Sequence, residues 1–271
     1  MKQSEPFTIL YENDQFVVVN KASGIAVIAD RWDDSKERLD ELLNSYFAKE
    51  AAEAASAVPP REPRIPFPHR VYVVHRIDRD TSGLVLFAKT REAHKHLSSL
   101  FESRTIEKTY LAVIHGRPAW TETVCDLPIR ADGDREHRTV IDKSKGKHAR
   151  TNFKLLAEVG AYSLIQAQIE TGRTHQIRVH LASLGHPVVC DPLYGTTKPV
   201  YLSAFKRGWR GDNLEEKPLM ARLGLHAYSL VLPASGDETH DEPHRFIAPL
   251  PRDFRALLNQ MEKVIGAPIL D

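Results

Sequence analysis

An α+β fold, a mixed and mostly antiparallel sheet flanked by helices and loops, follows from three features of this sequence. Strand-like runs come close together with polar turns between them, amphipathic helical stretches interleave with those runs, and no internal repeat organises the chain. At 271 residues, with 42% hydrophobic and 27% charged residues, the chain can bury a large core, and wholesale disorder or a fibrous class is excluded.

The first elements are two strands. Phe7-Thr8-Ile9-Leu10-Tyr11 and Phe16-Val17-Val18-Val19-Asn20-Lys21 flank the turn Glu12-Asn13-Asp14-Gln15. Lys21, at the end of the second run, reads either as a solvated lysine or as a side chain handed to a cleft. Leu39, Leu42, Leu43, Tyr46 and Phe47 recur at helical spacing, with Asp33, Asp34 or Ser35 as the cap, and Ala51 to Val58 can continue the helix. Pro59, Pro60, Pro63, Pro66 and Pro68 then predict an extended connection.

Val71 to Val74 and Gly83 to Lys89 read as strands on either side of a charged loop. A helix follows with Ala93, Leu97, Leu100 and Phe101 inward; His94 and His96 lie on different faces of it, which disfavours a shared metal and reads as two solvated histidines. Lys108 to Ile114 is a strand, residues 130–150 a basic hairpin-like loop, and Ile165, Ala167 and Ile169 the inward side of a half-buried strand. Thr174 to Leu184 predicts a helix capped by Thr174, with Ile177, His180, Leu181 and Leu184 inward and Arg178 at the edge of the buried face. Residues 196–222 read as a surface insertion, Gly224 to Leu232 as a strand, Ser235 to His244 as a polar loop. Phe254, Leu257, Leu258, Met261 and Val264 mark a final helix.

Several function classes are excluded early. The N-terminus has no signal peptide and the chain no apolar stretch of membrane-spanning length, so no export and no membrane role are expected. Cys125 and Cys190 are too few for a disulfide framework and lack zinc-ligand spacing. A net charge of +1 leaves any polyanion recognition to local patches. The most basic of these, residues 130–150, could meet phosphates or simply be solvated.

The chemistry concentrates in His75-Arg76-Ile77-Asp78-Arg79-Asp80-Thr81-Ser82-Gly83, which precedes the apolar run Leu84 to Ala88. Asp78 and Asp80 are separated by one residue and in an extended segment point to opposite sides, which disfavours a paired acid and base. A single ionised carboxylate among arginines suits a nucleophile better than a general acid. Arg76 could contact substrate or form an ion pair with Asp80.

This stretch resembles the HRLDxxTSGL signature of the RluA-type pseudouridine synthases, with Ile77 in place of leucine. The resemblance extends to Val19-Asn20-Lys21, to Glu107 through Ala112, to Thr171 through His180, to His186-Pro187, to Asp191-Pro192-Leu193-Tyr194-Gly195, and to Leu225-His226-Ala227. It departs at Ala22-Ser23, where a proline is expected. It implies a single catalytic domain over residues 1–271, with its core at about residues 7–260 and no N-terminal S4-type domain.

By that resemblance the chain isomerises uridine in structured ribosomal or transfer RNA, with neither cofactor nor metal, as a cytoplasmic monomer. Asp78 is then the catalytic nucleophile or base, acting at ribose C1′, at uracil C6 or on a ribose proton. Tyr110 stacks on the target base, Arg178 pairs with Asp78, and Ile177 lines the uracil pocket. Arg76 supports the flipped-out nucleotide, while Lys108, Arg173 and the basic hairpin supply RNA backbone contacts. The rival expectation is an RNA-binding or ribosome-assembly protein with incidental isomerase activity; a glycoside or nucleoside hydrolase using Asp78 and Asp80 would instead release free uracil.

Overall fold

The computed structural model of the chain describes residues 5–29, 37–56, 70–206, 208–212, 215–234 and 243–270. The chain divides into two compact units, residues 1–106 with 230–248 and residues 107–229 with 249–271. Each has a hydrophobic core of its own.

The first unit begins with β1 (Phe7–Glu12), β2 (Phe16–Lys21), α1 (Leu39–Ser56), β3 (Tyr72–Val73), β4 (Ser82–Ala88) and α2 (Arg91–Glu102). Asn13 shapes the β1–β2 turn, its Oδ1 accepting the N–H groups of Gln15 and Phe16 at 2.9 and 2.8 Å. β2 runs antiparallel to β4 from Phe16 opposite Ala88 to Lys21 opposite Gly83. Every residue of β4 is buried, which is why it reads as an uninterrupted apolar run. α1 turns Leu39, Leu43 and Phe47 inward and leaves Tyr46 exposed. α2 starts at Thr90, whose Oγ1 accepts the Ala93 N–H at 3.1 Å, and buries Ala93 and Leu97. The cap expected at residues 33–35 and the proline-rich connection over 59–68 lie outside the described residues.

The second unit contains β5 (Glu107–His115), β6 (Glu122–Asp126), β7 (Ile129–Arg130), β8 (Val140–Ile141), β9 (Arg150–Val159), β10 (Tyr162–Ile169) and α3 (Gln176–Ser183). β11 (Leu225–Leu232) starts in this unit, and its last three residues belong to the first. β12 (His244–Ile247) lies in the first unit and α4 (Arg252–Ile265) in the second. The second unit's sheet runs β11-β5-β10-β9-β6, with β7 and β8 as a separate pair. Its registered pairings are antiparallel, as the hairpin spacing predicts.

α4 lays Phe254, Leu257, Leu258 and Met261 into the second core with no exposed surface, whereas Val264, expected inward, is 55% exposed. The core ends one turn before the helix does. Within residues 196–222, read from sequence as a surface insertion, Val200, Phe205 and Met220 join that core, and Val200 bridges Met220. Three strands escaped the sequence reading: β6, β9 and β12.

Candidate active site

The charged loop before β4 is fastened along its backbone from Asp78 to Thr81. The Thr81 N–H donates to the Asp78 carbonyl at 3.1 Å, closing a turn whose tip, Arg79 and Asp80, is exposed. Thr81 and Ser82 are buried, and Gly83 takes φ +114°, a conformation L residues rarely adopt, as the chain enters β4. His75 secures the other side: its Nε2 accepts the Leu86 N–H at 3.0 Å and its ring stacks on Phe101 at 4.5 Å.

Lys21 is neither solvated nor handed outward. It is 1% exposed, and its Nζ donates to the carbonyls of Ala22, Ile25 and Arg79 at 2.9, 2.8 and 2.8 Å. The Gly24 N–H also donates to Arg79 O, the Arg79 Nε donates to Gly24 O, and Ser23 Oγ donates to Asp80 O. An ammonium thus staples the 22–25 turn to the tip of the aspartate loop. Burying a lysine is tolerable when its donors are satisfied.

On this frame Ile77 is buried, Asp78 is half-buried, and Arg76 is exposed. No ion pair joins Arg76 to Asp80 among the described residues, so its guanidinium faces solvent. Asp80 is held through its backbone carbonyl, which accepts from Ser23 Oγ.

The second unit holds Lys108, Tyr110, Arg173, Ile177 and Arg178. Tyr110 sits in β5 opposite Ala167 of β10 and is buried. Lys108, in the same strand, is only 8% exposed, so it is not the surface cation expected. Arg173 is exposed, with its Nε donating to the His148 carbonyl at 3.2 Å.

α3 departs from the amphipathic reading because Gln176 through Leu181 are all buried. Thr174 is exposed and caps nothing; His175, at φ +54°, holds the position before the helix. The Gln176 side chain does the fastening instead. Its Oε1 accepts from Thr171 Oγ1 and the Arg173 N–H, while its Nε2 donates to Arg150 O and Thr151 Oγ1. His180 continues the network between Thr151 Oγ1 and the Leu127 carbonyl, each at 3.0 Å. Since a carbonyl only accepts, Nε2 carries the proton and Nδ1 accepts from Thr151. Burial holds this imidazole below its usual pKa, partly opposed by the Leu127 carbonyl and the charge of Asp126.

Arg178 is buried rather than at an edge. Its Nε and Nη2 each donate to the Asp191 carboxylate at 2.8 Å, a bidentate pair with Asp191 fully enclosed. Burial alone would raise the Asp191 pKa, but the hydrogen bonds and charge of Arg178, with the Leu193 and Tyr194 N–H groups, bring it below the usual carboxylate value. In the sequence Asp191 stands only as part of the Asp191-Pro192-Leu193-Tyr194-Gly195 motif, with no role of its own. Thirteen residues separate it from Arg178, and no local spacing announces such a pair.

The basic segment is less basic in space than in sequence. Arg130 pairs with Asp142, Arg138 with Asp134, and Arg150 with Asp126 and Glu170. Arg135, Lys143, Lys145 and Lys147 stay exposed. Asp142 orders the turn carrying the lysines by accepting the Ser144 and Lys145 N–H groups. His94, expected in solvent, is half-buried and lies 3.3 Å from the Val73 carbonyl.

Comparison with known proteins assigns the family. The sequence profile described as RNA pseudouridylate synthase matches residues 15–183, a stretch running through both units. Ribosomal large subunit pseudouridine synthase D of Nitrosomonas europaea is 34% identical over 96% of this chain, and the protein of that name from Zymomonas mobilis is 31% identical over 96%. The chain spans 66% and 74% of those two proteins' lengths. The solved structure of Human RNA Pseudouridylate Synthase Domain Containing 4 shares the fold, with a TM-score of 0.66 at 22% identity over 94% of this chain and 92% of that one. The chain belongs to the RNA pseudouridylate synthase family.

Proposed function

We propose that this protein converts uridine to pseudouridine in structured RNA, with large-subunit ribosomal RNA as the favoured substrate. The observation that carries the proposal is the family match over residues 15–183, within which Asp78 is a half-buried carboxylate on a loop stapled by Lys21 and His75. The ribosomal preference is supported by the relatives from Nitrosomonas and Zymomonas, which are named as ribosomal large subunit pseudouridine synthases.

The reaction breaks the C1′–N1 bond, turns the uracil and joins C1′ to C5. N1 gains a proton and C5 loses one. Nothing is oxidised or reduced, so the conversion balances without a redox cofactor. Asp78 is the nucleophile or base, and a loop fixed by buried hydrogen bonds keeps its position without rearrangement during the reaction. Tyr110 and Ile177 contact the uracil, and Arg178 provides electrostatic support.

A base inside structured RNA must leave its stack before reaction. Arg76, exposed and without an ion pair among the described residues, contacts the opened nucleotide by stacking or by phosphate binding. Arg173 and the turn lysines Lys143, Lys145 and Lys147 contact the RNA backbone. Lys108, largely buried, adds positive potential from β5.

The test is to map pseudouridines by carbodiimide-stopped primer extension in ribosomal and transfer RNA from wild-type and deletion strains. A single position lost from large-subunit RNA supports the proposal. Loss confined to transfer RNA redirects the substrate assignment, and an unchanged map with defective ribosome assembly would favour an RNA-binding role.

A further inference from the structure

We propose that the Asp191–Tyr194 segment is a clamp that aims the Arg178 guanidinium, making Asp191 and Tyr194 positioning residues for the isomerisation. The inference rests on the assignment of Arg178 to the chemistry. Asp191 holds the edge of the guanidinium through Nε and Nη2, both at 2.8 Å. Tyr194 backs the group, with the Arg178 Cζ over its ring at 5.2 Å from the centroid. The bidentate pair and the ring together restrain the guanidinium, and with it the direction of Nη1.

The clamp is itself held. Asp191 Oδ1 also accepts the Leu193 and Tyr194 N–H groups at 2.9 and 3.2 Å, which ties the carboxylate to its own turn. The Tyr194 hydroxyl accepts the Thr139 N–H at 3.0 Å and lies 2.9 Å from His175 Nδ1. The hydroxyl thus bonds to an amide on one side and an imidazole on the other. That histidine immediately precedes α3, so the ring is anchored to the start of the helix that carries Arg178.

Stability alone does not account for this arrangement. A buried ion pair is often no better for stability than well-packed apolar residues, because desolvation cancels much of its attraction. What it supplies is direction. A second bidentate pair in the same unit gives an internal comparison: Arg222 Nε and Nη2 reach Asp253 at 2.7 and 2.9 Å, and neither residue bonds to Arg178 or belongs to the Asp191–Tyr194 segment.

The test compares single-turnover conversion at saturating RNA, RNA Kd and thermal stability for Asp191→Asn, Asp253→Asn and Arg178→Met. The clamp predicts that Asp191→Asn slows conversion about 10²-fold, the scale of a misplacement near 1 Å, with Kd almost unchanged. Asp253→Asn should lower stability and keep the wild-type rate. A folded Asp191→Asn that keeps the wild-type rate while Arg178→Met loses it overturns the clamp and leaves the function of Arg178 intact. An Arg178→Met that converts normally removes the reading beneath the clamp, and the clamp with it. Should Asp191→Asn not fold, Tyr194 decides: Tyr194→Leu must slow conversion at unchanged Kd and Tyr194→Phe must restore most of the rate, whereas a wild-type rate in Tyr194→Leu overturns the proposal.

Discussion

Replacing Lys21 by methionine keeps most of the side-chain volume and removes all three donors from a buried site. Arg79 O still accepts the Gly24 N–H at 2.9 Å, whereas Ala22 O and Ile25 O lose the bonds from Nζ. An unsatisfied buried acceptor costs about 1–3 kcal/mol, so the two together cost about 2–6 kcal/mol. Relief from burying an ammonium offsets part of that, leaving a net loss of about 2–3 kcal/mol. The loss should be local, because Nζ joins the 22–25 turn to the aspartate loop. Amide hydrogen exchange reads it at Gly24 and Thr81, whose N–H groups bond to Arg79 O and Asp78 O. At about 1.4 kcal/mol per tenfold, exchange there should quicken by about 30- to 150-fold. Single-turnover conversion should fall in parallel as the loop loosens. Exchange at both amides within about threefold of wild type, well under one tenfold step, would refute the staple.

His180 has a folded pKa below its ordinary 6.5, so below that pH the unfolded chain binds the extra proton. Its stabilising contribution is therefore complete above pH 6.5 and is lost as pH falls toward the folded pKa. Urea unfolding at pH 7.5 and 5.5 should show wild type weakening in acid and His180→Gln weakening less, with a residual slope from His115, which burial shifts the same way. Phe254→Ala empties a fully enclosed site in the second core and should cost about 3–5 kcal/mol in denaturant unfolding. Replacing Lys143, Lys145 and Lys147 together by alanine should weaken RNA binding and reduce the slope of log K against log salt by about 1 for each lysine that contacts a phosphate.

The first strands, β4, α2 and α4 were legible because their apolar spacing matches the burial that the fold demands. β9 was not. A register shift at Leu164/Ile165 of β10 leaves both Leu155 and Leu156 half-buried, and the alternation that marks a strand is interrupted. α3 misled for the opposite reason. A helix buried on nearly every side admits polar residues wherever partners exist, so Arg178, expected at the edge of the buried face, and Gln176, which the apolar stripe leaves out, are enclosed and bonded like the inward His180.

The same limit applies to the candidate site. The charged stretch marked Asp78 and Arg76 because so many ionisable groups border a core strand. Lys21 and Asp191 carried no such mark. Their roles depend on contacts 58 and 13 residues away, which composition and periodicity do not encode. The basic hairpin was overread because charge counted along the chain ignores Asp142, Asp134 and Asp126, which neutralise three of its arginines in space.

The proposed role of Asp78 in uridine isomerisation is tested most directly by the fate of the C5 proton. Forming the C1′–C5 bond expels the proton on C5, so large-subunit ribosomal RNA carrying tritium at uracil C5 reports each turnover as tritium released to water. The wild-type protein should release tritium, and folded Asp78→Asn that still binds the RNA should release it about 10⁴-fold or more slowly, as expected when a reacting group is removed. Tritium release by Asp78→Asn at the wild-type rate would contradict that role.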